Sequence, residues 1–314
     1  MSEPQYTESR PAPRISSVLN LLGVDYWHIK TGDGGDLYAT KHGMNVLNHI
    51  LPETWFEQEW FNKHSERLAG SSTVYRVTTR SINGRSTDLV VKWCRVGEEV
   101  PFDTMTLNKF SQAEFNSPYE EFSLVTELRE SRKPMPVLTH KPLAIYVPPE
   151  RLKLWQTGRS ESKMAQKKSK HRDVELDIYR QYILIYEWIK GASAVETLEQ
   201  SGINPQAQTG ILESLTTRAT AELAAKGFRV LDMKPAHIIT RLTPDKTLLQ
   251  DRSGETLYAL VDFELLERTP EHEIEVTHAR RIDYLKKQRD RFVPAMSGPF
   301  PAHLRQTEVF GVHY

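Results

Sequence analysis

The chain has 314 residues, 39% of them hydrophobic and 26% charged, and its 41 Lys and Arg balance 41 Asp and Glu to a formal net charge of zero. That balance is ordinary for a soluble globular protein and calls for neither a nucleic-acid partner nor an anionic membrane, and no apolar run reaches the roughly 18 residues that a membrane span needs. One cysteine, Cys94, excludes an internal disulfide, and the polar, proline-rich Met1–Arg14 has no apolar core of a leader peptide, so a cytoplasmic protein is expected.

In chain order, residues 1–14 lack apolar anchors and read as a disordered tail. Residues 15–65 carry Leu19, Leu21, Leu22, Trp27, Trp55, Phe56, Trp60 and Phe61, too much apolar surface for a tail. They predict an N-terminal extension packed on the main domain, cut into short elements at Gly32-Asp-Gly-Gly35 and at His42-Gly43. The β-branched and aromatic run from Thr73 to Arg80 reads as a strand, Asn83-Gly84 as a hairpin turn, and Asp88 to Cys94 as the return strand. Ser117-Pro118-Tyr-Glu120 carries the marks of a helix start: a serine cap, proline in the first turn and glutamate for a reciprocal bond. Glu121, Leu124, Val125 and Leu128 then share one face of that helix.

Leu143 to Val147 reads as a strand ending at Pro148-Pro149. The basic 163–172 region, with Lys163, Lys167, Lys168, Lys170, His171 and Arg172, reads as a surface loop open to a docking partner. Tyr179 to Trp188 reads as an apolar strand. Ile211, Leu215, Ala219 and Leu223 recur every fourth residue and predict a helix stopped by Gly227. Residues 243–256 read as a long hairpin loop, and a charged helix is expected near 271–291.

The chemistry concentrates in residues 228–264. Phe228-Arg-Val-Leu-Asp232-Met-Lys234-Pro235-Ala-His237 and Leu257-Tyr-Ala-Leu-Val-Asp262-Phe263-Glu264 each place a carboxylate at the end of a short apolar strand. Phosphoryl transfer needs a carboxylate on the attacking hydroxyl, a cation on the moving phosphoryl group, and groups that hold a metal. Asp232, Lys234, His237 and Asp262 are candidates for those roles in that order. Strand alternation predicts that Asp262 and Glu264 face the same side.

These residues resemble the catalytic loop and metal-binding strand of the protein-kinase-like superfamily, in which Asp-x-Lys-Pro-x-Asn precedes Asp-Phe-Gly. Asp232, Lys234, Pro235, Asp262 and Phe263 match that pattern. Val230-Leu231 stands where His-Arg is usual, His237 replaces Asn, and Glu264 replaces Gly.

The resemblance implies an α+β, kinase-like two-lobed fold: an antiparallel-sheet N-lobe with one main helix over 66–190, and a reduced, mostly helical C-lobe over 191–292. A tail covers 293–314. It implies ATP as cofactor with Mg²⁺ or Mn²⁺, and an acceptor hydroxyl on a small molecule or sugar rather than on a protein. Lys92 would hold the nucleotide phosphates, oriented by Glu121. Gly70, Ser71 and Ser72 would lie against the phosphates, with one glycine where three are usual. Backbone groups at Glu187 and Trp188 would bind adenine. Asp262, with His237 or Glu264, would hold the metal. Imidazole suits manganese better than magnesium, and His237 equally reads as a direct phosphate contact or as the mark of a lost metal site. Leu231 cannot couple activity to a phosphorylated loop. The departures also fit two rivals: a pseudokinase that scaffolds or only binds nucleotide, and an interaction module that docks through the basic 163–172 loop.

Overall fold

The computed structural model describes residues 14–70, 72–101, 113–131 and 137–292, the last four of these as backbone only. Of the expected tails, only Arg14 lies within the described residues. The chain divides into a first unit that ends at Glu267 and a second that begins at Arg268.

The first unit is a mixed α+β structure built on an eight-stranded sheet ordered β1-β2-β3-β7-β8-β6-β5-β4. The strands are β1 (Ile15–Leu21), β2 (Val24–Lys30), β3 (Asp36–Ala39), β4 (Ser65–Arg67), β5 (Val74–Thr78), β6 (Asp88–Trp93), β7 (Pro142–Val147) and β8 (Ile183–Glu187). Every neighbouring pair is antiparallel. The expected extension over 15–65 does not lie on this sheet as a separate layer. It enters the sheet, because β3 pairs with β7 and carries β2 and β1 outward with it. The β5–β6 connection closes at Asn83-Gly84 as predicted, with φ of 52° and 76° and a two-way bridge between Ile82 and Arg85. Two positive φ values in succession match the right-handed twist of the flanking strands.

Between β3 and β4 lie three short helices, α1 (Lys41–Met44), α2 (Leu47–Ile50) and α3 (Gln58–His64). His42-Gly43, expected to break the chain, sits inside α1. The glycine is there for close approach: a Cβ at Gly43 would lie 2.0 Å from the carbonyl oxygen of Leu143 in β7. A backbone atom cannot step aside, so Gly43→Ala is expected to destabilise the protein by about 3 kcal/mol or more. It should appear as a lower urea midpoint at unchanged slope.

Helix α4 (Pro118–Glu130) follows the lysine strand, with the predicted capping box formed: the Ser117 hydroxyl accepts from the Glu120 amide and the Glu120 carboxylate accepts from the Ser117 amide. Tyr119 and Phe122 pack against the sheet with Tyr26, Leu184 and Tyr186. Leu124, Val125 and Leu128 face the other way, into a core shared with Leu215, Ala219, Leu223, Phe228 and Phe263. The helix thus has sheet on one side and the later helices on the other.

After α5 (Leu154–Thr157), the basic stretch expected to be a loop is the helix α6 (Glu161–Lys170). It holds because Met164 and Lys167, three residues apart, are both buried, and because its cations have partners at hand. Lys163 pairs with Glu99 at 2.6 Å, Lys167 with Glu120 at 3.0 Å and Lys170 with Glu114 at 2.9 Å. His171 adds a second contact to Glu120 at 2.6 Å. Burial alone would raise the Glu120 carboxyl, but the His171 contact and the Lys167 charge outweigh it and hold the group at about 2, against an ordinary 4.5. A carboxyl depressed in the fold adds stability above about pH 4.5 and gives it up as pH falls toward 2. Glu120→Gln should therefore remove on the order of 2–3 kcal/mol at neutral pH, and flatten stability against pH between about 4.5 and 2. Urea melts across that window read the effect directly.

The strand expected from Tyr179 is shorter: β8 begins at Ile183, and Asp177 to Tyr182 turn on the Asp177 amide, which donates to the Tyr182 hydroxyl. Beyond β8 come β9 (Ala192–Ser193), α7 (Ala194–Ser201), α8 (Pro205–Ala225) and β10 (Phe228–Val230). Leu215, Ala219 and Leu223 form the buried stripe of α8 as predicted, and Gly227 follows with φ 79°. Strands β11 (Ile238–Thr240) and β12 (Ala259–Leu260) pair with each other, and β11 also pairs with β9. The hairpin over 243–256 therefore joins β11 to β12, whereas the strand before Asp232, β10, pairs instead with β13 (Leu266–Arg268). The second unit consists, as described, of the charged helix α9 (Pro270–Phe292).

Candidate active site

Lys92 is delivered by strand alternation. In β6, Leu89 and Val91 point into one core, while Val90 and Lys92 face the side on which α4 lies. Lys92 is 4% exposed. Its ammonium stands 2.8 Å from Asp262 Oδ1, 3.4 Å from Glu121 Oε1 and 3.4 Å from Glu264 Oε2. Burial works against the charge, but Asp262, Glu121 and Glu264 outweigh it and hold Lys92 well above its ordinary range.

Glu121 sits on the buried stripe of α4, where the i, i+3, i+4, i+7 pattern placed it. Its Oε1 also accepts from the Tyr186 hydroxyl at 2.7 Å. Burial raises its pKa despite the lysine. The glutamate is thus fixed from two strands, β6 and β8, and in turn fixes Lys92.

Asp232 follows β10, and Pro235 opens a single 3-10 turn over Pro235–His237. The His237 carbonyl accepts from the Val261 amide at 3.0 Å, which ties this turn to the residue before Asp262. His237 Nε2 lies 3.4 Å from Asp262 Oδ2 and 4.0 Å from Asp232 Oδ2, and the Lys234 ammonium is 3.8 Å from Asp232 Oδ2. Burial holds His237 below its ordinary pKa despite the Asp262 and Asp232 carboxylates beside it. Burial, with the neighbouring Asp262 charge, raises Asp232, which suits a carboxylate that is to take a proton. Asp232 Oδ1 and His237 Nδ1 are buried without hydrogen-bond partners among the described residues. Two orphaned polar atoms in one cluster are uncommon in a finished core.

Asp262 has φ 65°, a left-handed conformation that a non-glycine residue adopts at a cost of order 1–3 kcal/mol. Burial would raise its carboxyl, but Lys92 and then His237 hold it well below the usual carboxylate range. The expected strand alternation of Asp262 and Glu264 has no strand to act on. Residues 262–264 lie beyond β12, outside any strand. Both carboxylates reach Lys92, Asp262 at 2.8 Å and Glu264 at 3.4 Å, and Asp262 alone of the two also meets His237. Glu264 accepts from the Ser72 hydroxyl, 3.0 Å from each of its oxygens, and faces Arg95 at 3.6 Å. Asp262 and His237 therefore meet, but Glu264 does not join them. Among the described residues no group of three His, Cys, Asp or Glu side chains is set to hold a metal.

Of the remaining expected nucleotide contacts, Gly70 sits ahead of β5 with φ 148°, and Ser71 lies outside the described residues. Ser72 is buried on Glu264 rather than turned outward. At the strand end after β8, the Glu187 amide donates to the Lys141 carbonyl at 3.0 Å and the Trp188 amide to the Asp88 carbonyl at 3.3 Å. The Glu187 carboxylate pairs with Lys141 at 2.9 Å, and the Trp188 ring lies under Arg76. Both amide hydrogens are thus held by protein carbonyls. The stretch is an ordinary end of an antiparallel strand.

No protein-family model and no curated protein matches the sequence. What the site does therefore has to be argued from the chemistry of its own side chains.

Three residues that the sequence did not single out complete the cluster. Asn116, just before α4, donates its side-chain amide to the carbonyls of Phe263 at 3.2 Å and Leu266 at 2.8 Å, and its backbone amide to the Glu264 carbonyl at 2.9 Å. It clamps the chain after Asp262 to the base of α4. Tyr186 holds Glu121, and Arg95 reaches Glu264. Each acts across a long sequence separation, and none stands in a local pattern that would have marked it.

Proposed function

We propose that the protein is an ATP-dependent phosphotransferase on a protein-kinase-like fold, acting on a hydroxyl of a small molecule or sugar. In that reading the eight-stranded sheet with α4 is one lobe and the elements from β9 to β13 form the other. The observation that carries the proposal is the convergence of Lys92, Glu121, Asp232, His237 and Asp262, drawn from four separate segments, with Lys92 2.8 Å from Asp262.

Each side chain then has a task. Lys92, held by Glu121, meets the negative charge of the nucleotide phosphates. Asp232 orients the acceptor hydroxyl and takes its proton, and Lys234 offsets charge on the transferred phosphoryl group. Asp262 Oδ2 and His237 Nε2, 3.4 Å apart, would supply two ligands to a divalent cation of mixed nitrogen and oxygen preference, and the nucleotide phosphates and water would supply the rest. Such an ion would neutralise charge on the phosphates. Imidazole favours a manganese-like ion over magnesium. His237→Asn is accordingly expected to move the metal preference toward Mg²⁺, read as the ratio of ATP turnover in Mn²⁺ to that in Mg²⁺.

The direct test is ADP release by the purified protein, with ATP and each metal, across a panel of sugars and small alcohols. A second reading, a pseudokinase that binds nucleotide without turning it over, is favoured by one observation: Glu264 fills the space between Ser72, Lys92 and Arg95. Metal-dependent thermal stabilisation by ATP, with no ADP released on any acceptor, would select that rival. No stabilisation and no turnover would remove both.

A further inference from the structure

The Glu264 carboxylate is bound as an anionic ligand would be. Ser72 donates its hydroxyl from 3.0 Å, the Lys92 ammonium stands at 3.4 Å and the Arg95 guanidinium at 3.6 Å. Ser72, Lys92 and Glu264 are each no more than 5% exposed. Arg95 is preset: its Nε donates to Glu98 at 3.1 Å and its guanidinium lies 4.1 Å over the Phe115 ring. Two cations and a hydroxyl around one buried pair of oxygens are the donor set that recognises a phosphate. The Glu264 backbone is anchored separately, since its carbonyl accepts from the Asn116 amide at 2.9 Å. Its side chain can leave while the chain stays in place.

We propose that Ser72, Lys92 and Arg95 form a phosphate subsite of the nucleotide site, that Arg95 is a second phosphate-binding cation beside Lys92, and that Glu264 is an internal competitor for it. The inference rests on the nucleotide-binding reading and adds a residue and a restraint to it. A phosphate brings more charge and one more oxygen than a carboxylate, so it can displace Glu264. The free protein must first give up the Glu264 contacts, and its apparent affinity falls by the fraction of molecules with the subsite open. Removing the Glu264 carboxylate leaves Lys92 with Asp262 and Glu121, and Arg95 with Glu98. The fold therefore keeps its charge partners.

Calorimetric titration of the full chain with ADP, adenosine and inorganic tripolyphosphate tests this. Glu264→Ala is expected to bind ADP and tripolyphosphate about 10-fold more tightly than the wild type. Glu264→Gln, which keeps the shape and an acceptor for Ser72, should fall between them. Arg95→Gln should weaken both ligands about 10-fold, and adenosine should respond to none of these changes. If ADP binds the wild type and every variant equally, the subsite proposal is overturned while nucleotide binding stands. If tripolyphosphate follows the expected order but ADP binds no better than tripolyphosphate and adenosine not at all, the subsite stands and the nucleotide reading falls. No binding of any ligand to any form overturns both.

Discussion

Asp262→Ala is expected to lower ATP turnover by at least about 10²–10³-fold, the loss that follows when one group aimed at developing charge is removed from a water-poor site. The argument is geometric. Asp262 alone touches both halves of the cluster, with Oδ1 on Lys92 and Oδ2 on His237. Its left-handed φ is a conformation that the chain adopts against local preference, and Asn116 pins the residues that follow it. The fold should survive, because Lys92 keeps Glu121 and Glu264. Alanine fits the left-handed region no better than aspartate, and Lys92 loses its shortest carboxylate contact, so the thermal midpoint should fall while activity vanishes in the protein that remains folded. Turnover equal to the wild type in a folded Asp262→Ala protein would end the phosphotransfer proposal.

Lys92→Met is expected to act on stability as well as on activity. The methionine fills much of the volume but leaves Glu121 and Glu264 buried without their shared cation. Removing one partner of a buried ion pair costs about 3–5 kcal/mol. The pH dependence has a definite sign. In the wild type the raised lysine contributes its stability below the ordinary lysine range and loses it only as pH rises through the folded value. In the variant Glu121 and Glu264, already raised by burial, lose the lysine charge that restrains them and rise further, so the folded form holds protons that the unfolded form releases. Its stability should therefore recover as pH falls from 8 toward 5 more steeply than that of the wild type, whose Glu264 carboxyl burial already raises to about 7. Urea melts at the two ends of that range measure it. ATP-induced thermal stabilisation, if present in the wild type, should disappear with the ammonium. A variant as stable as the wild type at pH 8 would show that the lysine does not hold these carboxylates.

The departures from expectation share a cause. The basic region was read from its charge alone as a solvated loop. Its lysines instead close on Glu99, Glu114 and Glu120, and the aliphatic part of Lys167 is buried with Met164. Strand periodicity does not govern Asp262 and Glu264, which lie beyond β12 with Asp262 at positive φ, and both nevertheless reach Lys92. The extension was recognised as too apolar for a tail, but its apolar residues do not say that β3 will pair with β7, about a hundred residues later.

The features legible in the amino-acid order are local. Alternation in β6 aimed Lys92 toward α4, Asn83-Gly84 closed its hairpin, Ser117 and Glu120 started α4, and the four-residue stripe of α8 ran to Gly227. The carboxylates Asp232 and Asp262 were legible because a charged residue at the end of a short apolar strand is conspicuous against its neighbours. Only the tertiary structure decided which groups meet: Glu264 on Ser72, Asn116 on Phe263 and Leu266, Tyr186 on Glu121. The physical reason is range. Backbone periodicity repeats within a few residues and leaves its mark on composition, whereas a hydrogen bond between Ser72 and Glu264, 192 residues apart, is a single contact with no local pattern to announce it.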